Sequence, residues 1–295
     1  MLIKSLMYPK AYFTDELYNS VHNFFIELNK NNDSHISWNW ARFEWMYGHP
    51  DFDIENSNKI ALWIDHNKVV GIATYDMYFG EGFVANLSGY EFIFSKAAEY
   101  AYKELKDDNG LGVSINDENA QEIALITNLG FKKVEQSETV LVKELDSELS
   151  IDLPDGFSFC EVDYYSMDRK ELEWFFYQGF DHGNNRDEFN KLTFKECNHR
   201  PHFDKRLSIG VKDKNGMLVA HCCVWYLPET DYAYVEPVCV LPNYRKKGLG
   251  KIVVYKALRV AKEMGAKKAY VISDKEFYKK LGFSKKYHYS FYWKK

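Results

Sequence analysis

The sequence predicts an α/β (α+β) protein built as two tandem units, and three observations carry that prediction. First, stretches of apolar residues broken by short polar turns, as in β-hairpins, alternate with apolar residues spaced three and four apart, as in helices. Second, the pattern runs through twice. Residues 67–73 correspond to 215–221, and Leu129-Gly130-Phe131 to Leu281-Gly282-Phe283, at offsets of 148 and 152 residues in a chain of 295. Third, only the second pass carries a basic, glycine-bearing loop between a strand and a long helix, within residues 234–262.

Taken in order, residues 1–30 are expected to form a helix capped by Thr14 to Leu17, with Leu17, Val21, Phe24, Phe25 and Leu28 on one face. The aromatic segment 38–47 reads first as core and second as the wall of a ligand pocket. Residues 60–75 give a hairpin turning at His66–Lys68, and 82–87 a further strand. A helix follows over 92–105, broken by the glycines of 107–112. A short strand at 113–115, a helix at 119–128 and a strand or strand pair at 131–145 close the first unit. An acidic stretch, 144–152, and the turn Pro154-Asp155-Gly156 mark the boundary, giving units 1–148 and 149–295. In the second unit, 162–204 is mostly helical and loop-like. Strands at 207–211 and 217–225 flank the turn Asp213–Gly216.

Composition bounds the function. Hydrophobic residues make up 46% and aromatic residues 17%, enough for full cores, and no apolar run approaches the roughly 18 residues of a membrane helix. Five cysteines without framework spacing suggest reduced thiols, and the first ten residues lack a secretory pattern, so a cytoplasmic protein without membrane partners is expected. The net charge of −5 hides an asymmetry: residues 1–150 carry −12 and residues 151–295 carry +7. The half with the glycine loop is therefore the half suited to a polyanion. No recognition helix or RNA-binding signature is present, so nucleic acid is not expected. No sequence feature fixes an oligomeric state.

The loop itself is Arg245-Lys246-Lys247-Gly248-Leu249-Gly250-Lys251, followed by the apolar helical pattern Ile252, Val253, Val254, Leu258 and Ala261. A helix N-terminus leaves backbone N–H groups unpaired and carries partial positive charge, so it accepts an anion such as a pyrophosphate. Glycines let the main chain approach that anion, and the basic side chains add to its field. An ordinary turn with a solvated basic cluster is the plainer alternative. A Walker loop is excluded because Ile252 stands where Ser or Thr is required, and a dinucleotide fingerprint because Val253 stands where its third glycine would fall.

This loop resembles the R-x-x-G-x-G acetyl-CoA loop of the GNAT superfamily of N-acetyltransferases. A second motif follows at the family's spacing: a strand at 269–272, then Phe277-Tyr278-Lys279-Lys280-Leu281-Gly282-Phe283. The resemblance covers roughly residues 205–290. It implies in each unit a mixed, mostly antiparallel sheet flanked by helices, with acetyl-CoA as co-substrate and a small-molecule or peptide amine as acceptor. It further implies that the backbone of Val238, Cys239 and Val240 bonds the pantetheine and thioester, with the pyrophosphate over Arg245–Gly250 and Lys251 beside it. Tyr278 matches the family's frequent general acid. A phenol of pKa about 10 donating to a thiolate whose acid has pKa about 8.5 works uphill by about 2 kcal/mol, so geometry and desolvation must help; the competing role is a packing tyrosine. Glu236, where some relatives place a carboxylate, is the candidate base, with pairing to a lysine as its alternative. His221 is a second candidate, though a lone strand histidine reads as core. Relatives carry an Asn before the Tyr motif that this chain lacks, and Ser273 stands nearest to replace it. In the first unit the loop is Leu87-Ser88-Gly89-Tyr90-Glu91, without Lys or Arg, and Ile126 occupies the place of Tyr278, so that copy is not expected to hold acetyl-CoA.

Other constellations point elsewhere. The adjacent Cys222 and Cys223 face opposite sides of a strand and read as packing. His182, Cys197, His199 and His202 are irregularly spaced, and no metal is expected. Residues 177–204 are the expected acceptor region, where Asp181, Asp187 and Glu188 would favour a cationic amine. The sequence thus points to an N-acetyltransferase. Its rivals are an acyl-CoA-binding protein without catalysis and a transferase of longer acyl groups.

Overall fold

The computed structural model describes residues 4–7, 16–52, 54–193 and 200–295. Twelve strands form one continuous sheet. In the first half these are β1 (Lys4–Met7), β2 (Ala61–Asp65), β3 (Lys68–Asp76), β4 (Tyr78–Asn86), β5 (Leu111–Asn116) and β6 (Lys132–Glu144). The second half supplies β7 (Ser158–Glu161), β8 (Ser208–Lys212), β9 (Leu218–Tyr226), β10 (Tyr232–Val240), β11 (Lys268–Ile272) and β12 (Ser284–Lys294). The helices are α1 (Glu16–Leu28), α2 (Trp40–Tyr47), α3 (Phe94–Glu104), α4 (Ala120–Asn128), α5 (Arg169–Gly179), α6 (Arg186–Phe189), α7 (Leu249–Met264) and α8 (Glu276–Lys280). No helix among the described residues is long and apolar enough to cross a membrane.

The strand order is β1-β2-β3-β4-β5-β12-β6-β11-β10-β9-β8-β7. Most neighbours are antiparallel, and the parallel pairs are β4 with β5 and β10 with β11. The last strands of the two halves are exchanged. β12 lies between β5 and β6, pairing Tyr289 with Asn116 on one side and with Glu138 on the other. β6 lies in turn between β12 and β11, pairing Leu141 with Val271.

Local chemistry explains the elements. The Asn39 side chain accepts from the N–H groups of Ala41 and Arg42 and starts α2; Asn119 does the same for α4 and Asp168 for α5. Along β9 the side chains alternate. Cys222, Val224 and Tyr226 enter a core with α7, while Cys223 and Trp225 enter the core built by α1 and α2. The first-half helices therefore cover one face of second-half strands, and α2 packs on β10.

Several expectations need correction. Residues 1–30 are not one helix: Lys4–Met7 is an edge strand paired with β2, and the helix begins at Glu16. Its expected cap at Thr14 lies outside the described residues. Residues 132–144 form one strand rather than a pair, because both of its edges find partners. Strand β8 begins at Ser208, after a 3₁₀ turn at Lys205–Leu207 that Asp204 caps.

Candidate active site

Strands β10 and β11 pair only from Tyr232–Tyr234 to Lys268–Tyr270 and then diverge. A bulge in β10 between Val235 and Val238, at the cis Glu236–Pro237 bond, turns the strand beside the opening. The opening is a cavity of about 700 Å³ whose wall includes Glu236, Val238, Ser273 and Tyr278 from the second half and Arg42 and Trp45 from the first.

At the far end of β10 the chain makes a 3₁₀ turn, Pro242–Tyr244, fastened by the Tyr244 hydroxyl to Asp213 at 2.7 Å. Lys246 and Gly248 both take left-handed backbone conformations, at φ 62° and 80°. Gly248 is the N-cap of α7, and the first described bond across it is Ile252 N–H to Gly248 O at 3.1 Å. The amides of Leu249, Gly250 and Lys251 thus open outward at the helix start. The two glycines have different duties. Gly248 faces open space at a φ that suits glycine, whereas a Cβ on Gly250 would stand 3.2 Å from the Phe277 ring.

The basic side chains divide likewise. Arg245 donates through Nε to Val240 O and through Nη2 to Gly179 O, both at 3.0 Å, and its Nη1 meets Asp181 at 2.9 Å. It braces the loop against β10 and α5. Its exposed ion pair is worth at most about 1 kcal/mol, too little to hold that edge of the guanidinium against a polyphosphate. Lys247 lies over the Tyr244 ring at 4.8 Å and Lys251 over Tyr255 at 5.2 Å. Lys246 is exposed. Cys239 is buried with its thiol against Gly179, and of this strand Tyr234 to Val238 line the opening.

Glu236 accepts from the Tyr234 hydroxyl at 2.6 Å. Burial pushes its carboxyl up to about 7, against the Tyr234 bond and the Arg42 charge, with Asp76 and Glu138 adding to the rise. Arg42 is itself clamped, with Nη2 at 2.7 Å from Asp76 and at 2.8 Å from Glu138. No lysine holds Glu236 among the described residues, so it stands near neutrality as a carboxyl able to take a proton. Tyr278 is buried, and burial first, then nearby thiols and Glu236, pushes its hydroxyl up, so it stays protonated. That hydroxyl has no hydrogen-bond partner among the described residues. Ser273 Oγ accepts from Lys275 N–H at 3.2 Å, leaving its own proton to give.

His221 is fully buried, with Nε2 3.0 Å from Ser208 Oγ, and burial lowers its pKa to about 3. It is a core residue and not the base. The four described cysteines are free thiols. Of the histidines singled out, Cys197's neighbour His199, like Cys197 itself, lies outside the described residues, while His182 lines the cavity. His202 instead joins His22 and Glu44 in a cluster of metal-ligand types. There the Glu44 carboxylate accepts from His202 N–H and Nδ1, each at 2.7 Å, and from the Tyr18 hydroxyl. Of the expected acceptor acids, Asp181 is turned to Arg245, and Asp187 and Glu188 lie exposed on α6, outside the cavity walls.

The sequence reading missed Arg42 and Asp76. The packing of α2 on β10 brings Arg42 to Glu236, and Asp76, at the end of β3, joins it by pairing with Arg42; no local pattern announces either contact.

A sheet splayed at parallel strands, with a glycine-capped helix beyond it, is an architecture of the GNAT type. The model of the acetyltransferase (GNAT) family matches residues 167–283, within the second half of the chain. Solved structures extend the likeness of fold to the whole chain. The tandem GNAT protein from the clavulanic acid biosynthesis pathway aligns with 99% of this chain and 98% of its own at 13% identity, with a TM-score of 0.60. A GCN5-related N-acetyltransferase from Sphaerobacter thermophilus aligns over 99% and 95% at 12% identity and 0.57. Another from Kribbella flavida covers 80% and 86% at 16% identity and 0.51. No curated protein matches the sequence. The fold is thus that of tandem GNAT proteins.

Proposed function

We propose that the chain is an acetyl-CoA-dependent N-acetyltransferase, active in its second unit, 149–295, with the first unit, 1–148, closing the acceptor side. The observation that carries this reading is the meeting of Glu236 and Tyr278 on the wall of one cavity, where β10 parts from β11. The backbone of Val238–Val240 would hold the pantetheine arm, with Ser273 opposite. The amides at the start of α7, with Arg245, Lys246, Lys247 and Lys251, would hold the pyrophosphate. The amine nitrogen attacks the thioester carbonyl while Glu236 takes its proton. The carbon–sulfur bond then breaks, and the departing thiolate takes the Tyr278 proton. Reprotonation of Tyr278 from solvent and loss of the Glu236 proton complete the cycle.

The first unit has an opening of its own, but Gly89 N–H, in the corresponding loop, is bonded to the Glu91 carboxylate at 2.8 Å. An internal carboxylate where an anion would dock fits a silent copy. Calorimetric titration with acetyl-CoA, and separately with desulfo-CoA, tests the reading. One site per chain is expected. Two sites would assign a ligand to the first copy, and no binding would remove the enzyme reading.

A further inference from the structure

A second cavity, of about 580 Å³, adjoins the first and shares Trp45, His49, Phe180 and His182 with it. The two form one path from Glu236 to the joint between the halves. The walls of the second cavity are aromatic, with Tyr164, Phe176 and Tyr177 from the second unit. Its charged groups are mostly matched. Glu173 lies 4.0 Å from Arg169, and Asp51 lies 3.8 Å from His49.

Arg200 is the exception. It is only 4% exposed and has no carboxylate partner among the described residues. Its Nη2 donates to Gly48 O, its guanidinium lies 4.9 Å from the Trp45 ring and 5.4 Å from the Tyr164 ring, and its Nε has no bond there. Stacking on two rings holds the guanidinium in place without neutralising it. A buried charge left in this state is costly, and an anionic ligand relieves the cost. Gly48 belongs to the arrangement, since a Cβ there would overlap the Arg200 side chain.

Resting on the transferase reading, we propose that the acceptor is an amino acid-like molecule. Its amine reaches Glu236, its body is aromatic or aliphatic, and its remote carboxylate pairs with Arg200. A carboxylate suits the site better than a phosphate, because one guanidinium supplies one positive charge and Arg169 is already paired with Glu173.

The test uses the full chain and a graded series of ω-amino aryl and alkyl carboxylic acids, each beside its carboxamide. Acetyl transfer is followed by thiol release, and binding of each compound by calorimetry. The acids should exceed their amides by about ten- to a hundred-fold in kcat/KM and in affinity, with Kd lower by that factor, the range of a hydrogen-bonded charge pair. In Arg200→Gln the ratio should fall to near one while acetyl-CoA affinity stays unchanged. Gly48→Ala, which displaces the same side chain, should lower the ratio without removing the charge. Acids and amides bound equally well by the unaltered protein would overturn the proposal, as would an acid preference that survives Arg200→Gln. Binding preference without any transfer would instead overturn the transferase reading and keep the anion site.

Discussion

The two clefts of this molecule make a controlled comparison. In the first half β4 and β5 pair only at Glu81–Gly112 and Gly82–Val113 before parting; in the second, β10 and β11 pair at three positions before parting. Both openings are real cavities, of about 470 Å³ and 700 Å³. The first is lined by Asn86, Asn116, Glu91, Glu118 and Glu122, and among the described residues no lysine or arginine lines it. The second carries Glu236 and Tyr278 together with Arg42 and Lys275. Strand divergence is thus a property of the fold, whereas the proposed polyanion site rests on a few loop residues and on the charge of the half that bears them.

Experiments can break this comparison, beginning with the largest expected effect. Glu236→Gln should lower kcat/KM by about 10²–10⁴ with acetyl-CoA affinity unchanged. A loss confined to affinity would assign Glu236 to binding. Tyr278→Phe should cut kcat by about 10–10², again at constant affinity; an unchanged rate would leave Tyr278 a packing residue. Arg245→Ala should weaken acetyl-CoA about tenfold, since it removes both the loop brace and a phosphate-facing charge. Equal affinity would refute that assignment.

The pH profile sharpens the contrast further. In the proposed mechanism Glu236 acts as the ionised base, and its pKa of about 7 lies above the ordinary carboxylate range. It is therefore protonated and idle below that value, and kcat/KM should rise with pH and level off above about 7. The same limb persisting in Glu236→Gln would belong to another group. The smallest effect is expected in the first cleft. Glu91→Gln should leave the stoichiometry at one acetyl-CoA per chain and turnover unaltered, because freeing Gly89 N–H supplies no positive charge.

Much of this was legible in the sequence, and the reasons it stopped are physical. Gly248, the run of basic residues and the Phe277–Phe283 motif are local patterns, so strand, loop, helix and turn could be placed from them. The duplication was legible because two short segments repeat at nearly one spacing. The exchange of β6 and β12 was not, since strand pairing between residues such as Glu138 and Tyr289 leaves no local trace. The aromatic segment 38–47 was ambiguous for a good reason: Trp40 and Phe43 are buried core, while Trp45 on the same helix lines both cavities. Arg200 lay inside the expected acceptor region, but its seat between Trp45 and Tyr164, with no ion-paired carboxylate among the described residues, emerges only once its surroundings are assembled.

The exchanged strands have a consequence for how such a chain can change over time. Each half borrows its penultimate sheet position from the other, so neither owns a complete hydrogen-bonded ladder. A half that has lost its chemistry remains indispensable as a splint for its sibling. Its cleft residues are free to drift while its backbone is not. Such a topology permits a division of labour inside one polypeptide without any change in the shared ladder.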